Sequence, residues 1–261
     1  MCGIIGYIGP KPAPNILLEG LRRLEYRGYD SAGLVTINKG QFELRKKTGR
    51  INDLAGVLKK QPAHASTGIG HTRWATHGAP TDANAHPHLD QSGKIALVHN
   101  GVIENHQSLK DKLTAKGHKF HSQTDTEVLA HLVGEHYRGD LTEAVRLALK
   151  EVVGTYGIAV VHVDHPNLIV GARRGSPLLL GVGRDENFLA SDVSAIIAHT
   201  RRVVYLNDFE LVTLTRDDFQ VSTIEAATVT PQVREVEFAA EEVERPRMGV
   251  EHHLLCLARI G

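Results

Sequence analysis

Cys2 follows the initiator methionine and precedes Gly3. Once Met1 is removed, a thiol and a free α-amine sit on one residue. The unperturbed amine titrates near ~7.7–8.0 and the thiol near ~8.5, so around neutral pH the amine takes the thiol's proton, directly or through a water. Nucleophile and base then come from a single residue, as known for threonine at a chain N-terminus. A small side chain after methionine favours removal of Met1. Read alone, a Met-Cys start favours a merely buried cysteine, among the most buried residue types; the rest of the chain reverses that reading.

Four further segments concentrate reactive or hydrogen-bonding groups. Arg73-Trp74-Ala75-Thr76-His77-Gly78 ends a predicted strand. The planar fork of Arg73 suits a carboxylate, and Trp74 is a candidate lid; a surface ion pair and a core indole are the competing reading. His99-Asn100-Gly101 also ends a predicted strand. A side-chain amide beside a glycine N–H is a candidate oxyanion hole, against an ordinary strand-to-turn Asn-Gly. Asp125 opens a predicted helix, where it binds a substrate ammonium or simply complements the helix dipole. Arg27-Gly28-Tyr29-Asp30-Ser31-Ala32-Gly33 is a glycine-bracketed turn to which residue chemistry alone assigns no mechanism. Together the segments describe one substrate. An α-amino acid needs a cation for its carboxylate and an anion for its ammonium, and a side-chain amide needs a nucleophile and oxyanion donors.

The elements that must position these groups are legible in outline. Residues 3–9 read as a buried strand. Asn15 is placed as the cap of a helix to about Tyr26, with Leu17, Leu21 and Leu24 at helical spacing and Gly28 at its end. Leu34-Val35-Thr36-Ile37 and Phe42-Glu43-Leu44 flank Asn38-Lys39-Gly40 as a hairpin. Strands are predicted over 68–74 and 95–100, separated by a long loop at 78–93 rich in Pro, Asn, Asp and His, and loops of that length are often functional. Helices follow, one capped by Asn105 through Leu109 and Leu113, one opened by the capping box Thr124-Asp125-Thr126-Glu127, one started by Asp140 and Glu143. Further strands are predicted over 158–163, 168–171, 188–191, 203–206, 211–214 and 219–222. Strands, then helices, then strands predict an α+β fold with segregated helices. Residues 2–225 read as one unit, and 226–261 as a connecting arm, acidic over 235–244, with an atypical tail.

Composition narrows the function classes. The 261 residues carry 30 basic and 30 acidic side chains, so net charge gives no reason to bind nucleic acid or an anionic membrane. Cysteines at 2 and 256 make no disulfide framework, which points to a reducing, cytoplasmic setting. The N-terminus is read as lacking a signal peptide, since Ile16-Leu17-Leu18 is broken by Glu19 and Arg22-Arg23. No apolar run approaches the length of a membrane span. Sixteen histidines invite a metal reading, with His86-Pro87-His88 and His252-His253 as close pairs and His71 six residues before His77. Neither HExxH nor CxxC spacing occurs, so no metal is assigned.

Segments 1–6, 21–33, 71–78, 84–88, 99–105 and 124–127 resemble, in order, the glutaminase domain of the glucosamine-6-phosphate synthase family. These are class II glutamine amidotransferases, which are N-terminal-nucleophile hydrolases. The Arg-Leu-Glu-Tyr-Arg-Gly-Tyr-Asp-Ser-Ala-Gly stretch at 23–33 is more particular to that synthase than the Cys-Gly-Ile, Arg-Trp and Asn-Gly elements. The resemblance implies a four-layer αββα sandwich, and hydrolysis of L-glutamine through a Cys2 thioester to glutamate and ammonia. It implies Asn100 and Gly101 as the oxyanion hole, and Arg73 and Asp125 on the glutamine carboxylate and ammonium. Trp74, Thr76 and His77 fall on the loop that closes over glutamine, and Arg27 organises the N-terminal turn. No metal or organic cofactor is implied. The partner implied is a sugar-isomerase half that uses the ammonia on fructose 6-phosphate; no such half is recognised in these 261 residues. Leu254-Leu255-Cys256-Leu257-Ala258-Arg259-Ile260-Gly261 departs from the family linker, and a truncated or frameshifted chain is the expectation, beside a cloned fragment and a natural subunit. Glutaminase activity alone is expected here. A catalytically silent glutamine-sensing or partner-binding module, and the glutaminase domain of another class II amidotransferase, are the alternatives.

Overall fold

Ile4 and Ile8 alternate with Ile5 and Tyr7, so a strand here presents apolar groups on both faces and must be covered twice. The computed structural model, which describes residues 2–75 and 78–237, does this with two stacked sheets. The N-terminal elements are β1 (Gly3–Ile8), α1 (Ala13–Leu24), β2 (Ser31–Asn38), β3 (Gln41–Thr48), α2 (Ile51–Lys60) and β4 (Thr67–Arg73). The middle of the chain forms β5 (His88–Leu89), β6 (Ile95–Ile103), α3 (His106–Ala115), α4 (Asp125–His136) and α5 (Leu141–Glu151). Then come β7 (Gly154–His162), β8 (Ile169–Arg174), β9 (Leu179–Val182), β10 (Asn187–Ala190), β11 (Arg202–Tyr205), β12 (Glu210–Leu214), β13 (Phe219–Thr223), β14 (Thr228–Val229) and β15 (Arg234–Glu235). The first sheet runs β15-β11-β9-β10-β1-β4-β2-β3, the second β14-β13-β12-β8-β7-β6-β5.

Side-chain alternation sorts three cores. Ile5, Tyr7, Ala32 and Leu34 meet Leu17, Leu21 and Leu24 of α1 and Ile51 and Leu54 of α2. Ile4, Ile8, Val35 and Ile69 meet Ala96, Val98, Ala159 and Val212 of the other sheet. On the far side Leu97, Ile158 and Val160 pack on Leu109, Leu129, Leu132 and Val145 of the second helical layer. The layers are helix, sheet, sheet, helix, the αββα sandwich of the sequence reading.

Local signals were met unevenly. Lys39 and Gly40 both take positive φ, 49° and 74°, between paired Asn38 and Gln41, the two-residue turn that suits strand twist. Thr124 Oγ1 accepts the Glu127 N–H as a cap should. Glu127 does not complete the box: its carboxylate takes the His121 and Ser122 N–H groups instead. Asn15 is no cap; α1 begins at Ala13, after Pro12, and Pro14 supplies the fixed φ of a first turn. Asn105 sits at the start of α3, but its amide bridges Glu151 O and Val153 N at the end of α5. Helix α2 was not foreseen, being only ten residues long with Gly56 inside it. Residues 226–237, expected to begin the arm, carry β14 and β15, and Val236 joins the α1 core. Residues 238–261 lie outside the described residues. Among the described residues, no helix is long and apolar enough to cross a membrane.

One register brings the N-terminus to the rim of the stack. β1 and β4 pair antiparallel with Gly3 opposite Thr72, so the start of β1 lies beside the end of β4. Helix α4 brings its first residue, Asp125, to the same end of the stack, and Leu129 anchors that helix with no exposed surface. Leu129→Ala should therefore lower stability by about 2–5 kcal/mol, read from denaturant unfolding midpoints at unchanged m-value.

Candidate active site

Cys2 lies one residue before β1, half-buried, where the register sets it next to Arg73 and Trp74. Its Sγ accepts the Trp74 N–H at 3.3 Å and lies 3.5 Å from Trp74 O. The strand behind it is tied down on its other side: Ile4 N donates to Ser191 Oγ at 2.9 Å and Ser191 N to Ile4 O at 3.0 Å. Burial pushes the Cys2 thiol up, and the opposing pull of the Trp74 N–H, the chain's amino terminus and Arg73 does not overcome it. The resting sulfur is thus a neutral thiol at neutral pH.

Around it is a cavity of about 200 Å³, lined by Cys2, Arg73, Trp74, Asn100, Gly101 and Asp125 among others. That lies below the ~300–1,000 Å³ usual for drug-sized ligands, which limits an occupant to about amino-acid size. Arg73, 3% exposed, donates to Gly78 O at 3.0 Å and Ala79 O at 3.3 Å, so its guanidinium also pins the loop beyond it. Burial pushes its pKa down while Cys2, Asp30 and Asp125 pull it up, and an arginine starts high enough to stay charged. Asp125 is the first residue of α4, where the helix dipole favours a carboxylate, and Ile103 N donates to it at 2.8 Å.

Asn100 and Gly101 sit on β6 of the other sheet. Asn100 Nδ2 donates to Cys2 O at 3.2 Å, joining the sheets at the cavity. Gly101 has φ 132°, and a Cβ there would strike Thr155 O, so only glycine keeps this backbone. Arg27, 8% exposed, also lines the cavity and donates to Asp192 Oδ2 at 2.8 Å and Ser191 O at 3.3 Å, bracing the segment that holds β1.

The turn at 27–33, unassigned from sequence, carries the backbone of the cavity's edge. Asp30 Oδ2 accepts Ala75 N at 2.8 Å, Asp30 N donates to Arg73 O, and Thr72 Oγ1 donates to Gly28 O. A Cβ on Gly28 would lie 2.7 Å from the Arg73 carbonyl carbon, which explains the glycine. Tyr29 meets Trp74 edge-to-face with centroids 5.3 Å apart. Of the expected site residues, Thr76 and His77 lie outside the described residues.

Residues the sequence reading did not assign also line the cavity: His86, His99, Thr124, Thr126, Ser176 and Pro177. His86 lies in the long 78–93 loop, where its spacing from His88 resembles a metal-ligand pair more than a cavity wall. Ser176 and Pro177 carry only a turn signal. Among the described residues, no group of three or more His, Cys, Asp or Glu is arranged to hold a metal ion.

Known proteins are similar to this chain in sequence and in fold. A family model described as a glutamine amidotransferase domain matches residues 41–250. A glutamine–fructose-6-phosphate aminotransferase (isomerizing) of Thermus thermophilus is 52% identical over 255 residues, covering 98% of this chain and 42% of that protein. The protein of the same name from Aquifex aeolicus is 48% identical, covering 98% and 43%. Among solved structures, glutamine phosphoribosylpyrophosphate amidotransferase from B. subtilis, complexed with ADP and GMP, superposes with TM-score 0.75 at 26% identity, over 87% of this chain and 50% of that one. The chain thus spans about two fifths of the length of the curated relatives it matches. It belongs to the glutamine amidotransferase domain family.

Proposed function

We propose that this chain hydrolyses the side-chain amide of L-glutamine through a Cys2 thioester, giving glutamate and ammonia. The observation that carries the reading is the single cavity lined by a thiol, a buried arginine, a helix-start aspartate and an amide next to a positive-φ glycine. Arg73 takes the substrate carboxylate and Asp125 its ammonium, which leaves the carboxamide toward Cys2. Removal of Met1 frees the α-amine. The amine accepts the thiol proton as Sγ bonds to the amide carbon and the C=O pair moves to oxygen. Asn100 Nδ2 and the Gly101 N–H stabilise that oxygen. The carbon–nitrogen bond then breaks, the amine's proton leaves with ammonia, and water hydrolyses the thioester. Trp74, Thr76 and His77 close over the substrate, while Arg27 steadies the N-terminal strand.

The relatives' name extends the proposal: the ammonia is the amino donor for making glucosamine 6-phosphate from fructose 6-phosphate in a sugar-isomerase half, on the same polypeptide or another. The activity is assigned to a cytoplasmic enzyme acting on a small molecule, with neither nucleic acid nor membrane as partner. Residues 2–225 are proposed as the glutaminase domain, continued at its edges by β14 and β15.

Purified protein whose intact mass shows loss of Met1 should release ammonia from glutamine, and Cys2→Ala should release none; glutamine binding without turnover would instead make this a sensing module. Arg73→Ala should raise KM for glutamine by at least ~30-fold, the equivalent of about 2 kcal/mol for a buried charge that loses its partner. An unchanged KM removes Arg73 from the binding role.

The pH dependence has a definite sign. Burial raises the thiol, so thiolate accumulates only as pH climbs past the ordinary thiol range. Alkylation of Cys2 by iodoacetamide should therefore still be accelerating at about pH 9. A rate already level at pH 7 would mean a preformed thiolate and would discard the amine as base.

A further inference from the structure

Asn100 presents an amide with two chemically opposite ends, and the end facing the cavity decides whether it donates to a developing oxyanion. One end lies 3.2 Å from the carbonyl oxygen of Cys2. The other lies 3.0 Å from Nε2 of His71. The same Nε2 is 3.1 Å from the carbonyl oxygen of His99. A carbonyl oxygen only accepts, so His71 Nε2 carries a hydrogen. The Asn100 atom sharing that hydrogen is then Oδ1. The Cys2 carbonyl, by the same logic, faces Nδ2. Two independent acceptors thus fix one amide orientation.

His71 stands on β4 of the first sheet with no exposed surface, and Asn100 on β6 of the second. The His71 Nδ1 atom is buried and has no hydrogen-bond partner, which fits a neutral ring protonated at Nε2 alone. Burial pushes His71 down to about 3, in agreement. The ring of His86 lies against it, tilted by 30° with centroids 4.1 Å apart, limiting rotation. An apolar side chain of this size would fill the space without leaving a nitrogen unpaired, so filling alone does not account for the imidazole.

We infer that His71 is a positioning residue for amide hydrolysis: its Nε2–H holds Asn100 Oδ1 so that Nδ2 points at the oxygen of the tetrahedral intermediate. The inference rests on the glutaminase reading above. His71 itself does not line the cavity, so it acts through Asn100. It acts at the one moment when the carbonyl π pair has moved to oxygen and the Sγ–carbon bond is formed. Its loss should therefore slow turnover without weakening the hold on the substrate's carboxylate and ammonium.

The test compares His71→Leu with His71→Gln in the full chain with Met1 removed. Glutamine places an amide N–H where Nε2 stands and so keeps the donor. His71→Leu should lower kcat by about 10- to 100-fold, less than the ~100–1,000-fold for deleting an oxyanion donor outright. KM for glutamine, affinity for glutamate and the alkylation rate of Cys2 should stay within about threefold. The aldehyde analogue of glutamine forms a thiol adduct with a tetrahedral oxygen, so its affinity should fall by the same factor as kcat/KM. His71→Gln should recover most of the loss. Three results overturn the inference: a His71→Leu kcat within about threefold of the parent, equal losses of aldehyde and glutamate affinity, or a His71→Gln variant as impaired as His71→Leu. A parent chain that releases no ammonia removes the glutaminase reading, and this inference with it. An active parent with any of the three results removes the inference alone.

Discussion

The antiparallel register of β1 against β4 is the constraint on which the rest depends. With Gly3 opposite Thr72, the beginning of one strand and the end of its neighbour are adjacent. Whatever precedes Gly3 must lie beside whatever comes after Thr72, so Cys2 meets Arg73 and Trp74 through backbone geometry alone. A slip of one residue would also turn Ile4 and Ile8 toward the helices and Ile5 and Tyr7 toward the other sheet. Both cores resist that, because Tyr7 is fully buried against Phe188 with ring centroids 5.3 Å apart. The packing that stabilises the sandwich therefore also sets the position of Cys2.

The second sheet supplies the opposite wall, and the two walls meet through polar contacts. At this end of the stack the intersheet core of aliphatic side chains gives way to His71, His86, His99 and Asn100, each 8% exposed or less. A buried polar group without a partner costs about 1–3 kcal/mol, so such a layer persists only if it is hydrogen-bonded. Here it is, apart from Nδ1 of His71: His71 Nε2 reaches His99 O and Asn100, His99 N donates to His86 Nδ1, and His99 contacts Thr126 and Thr155. The loop over 78–93 is fastened into the same layer through Asn84 to Gln123 and His88 to Thr124. Its length marks a structural tie between the sheet and the start of α4.

What the sequence disclosed follows the range of the interactions. The hairpin at 38–41 and the cap at Thr124 are decided within four residues, and both were legible. Asn15 is not the N-cap of α1, and Asn105 holds the N-cap position of α3 without a side-chain cap bond, for different reasons. Pro12 and Pro14 set the first turn of α1 without help, and the Asn105 amide was drawn to the end of α5, 46 residues away. The strands β14 and β15 have too little apolar pattern to be seen and exist because sheet edges were there to pair with. Cys2, Arg73, Asn100 and Asp125 were legible because their side chains have chemistry worth explaining. That they share one cavity, and that the 27–33 turn holds the backbone of Arg73 and Ala75, depends on contacts between residues 43 and 45 apart, invisible to any local window.

A half-buried, neutral thiol looks at first like a handicap for a nucleophile, and for glutamine hydrolysis it is an advantage. The leaving nitrogen of an amide is too basic to depart without a proton. If the resting sulfur were already ionised and its proton lost to solvent, that proton would have to be found again when the tetrahedral intermediate collapses. Burial keeps the proton on Cys2, against the pull of the Trp74 N–H and Arg73. In the proposed mechanism an α-amine on the same residue then accepts it as the sulfur attacks and delivers it to the departing ammonia. One proton makes both transfers without leaving the site. The same cavity that raises the thiol also strengthens every hydrogen bond to the oxyanion, since both effects come from excluding water. On the glutaminase reading, desolvation that weakens the resting nucleophile is recovered at the transition state, where charge first appears beside Asn100 and Gly101.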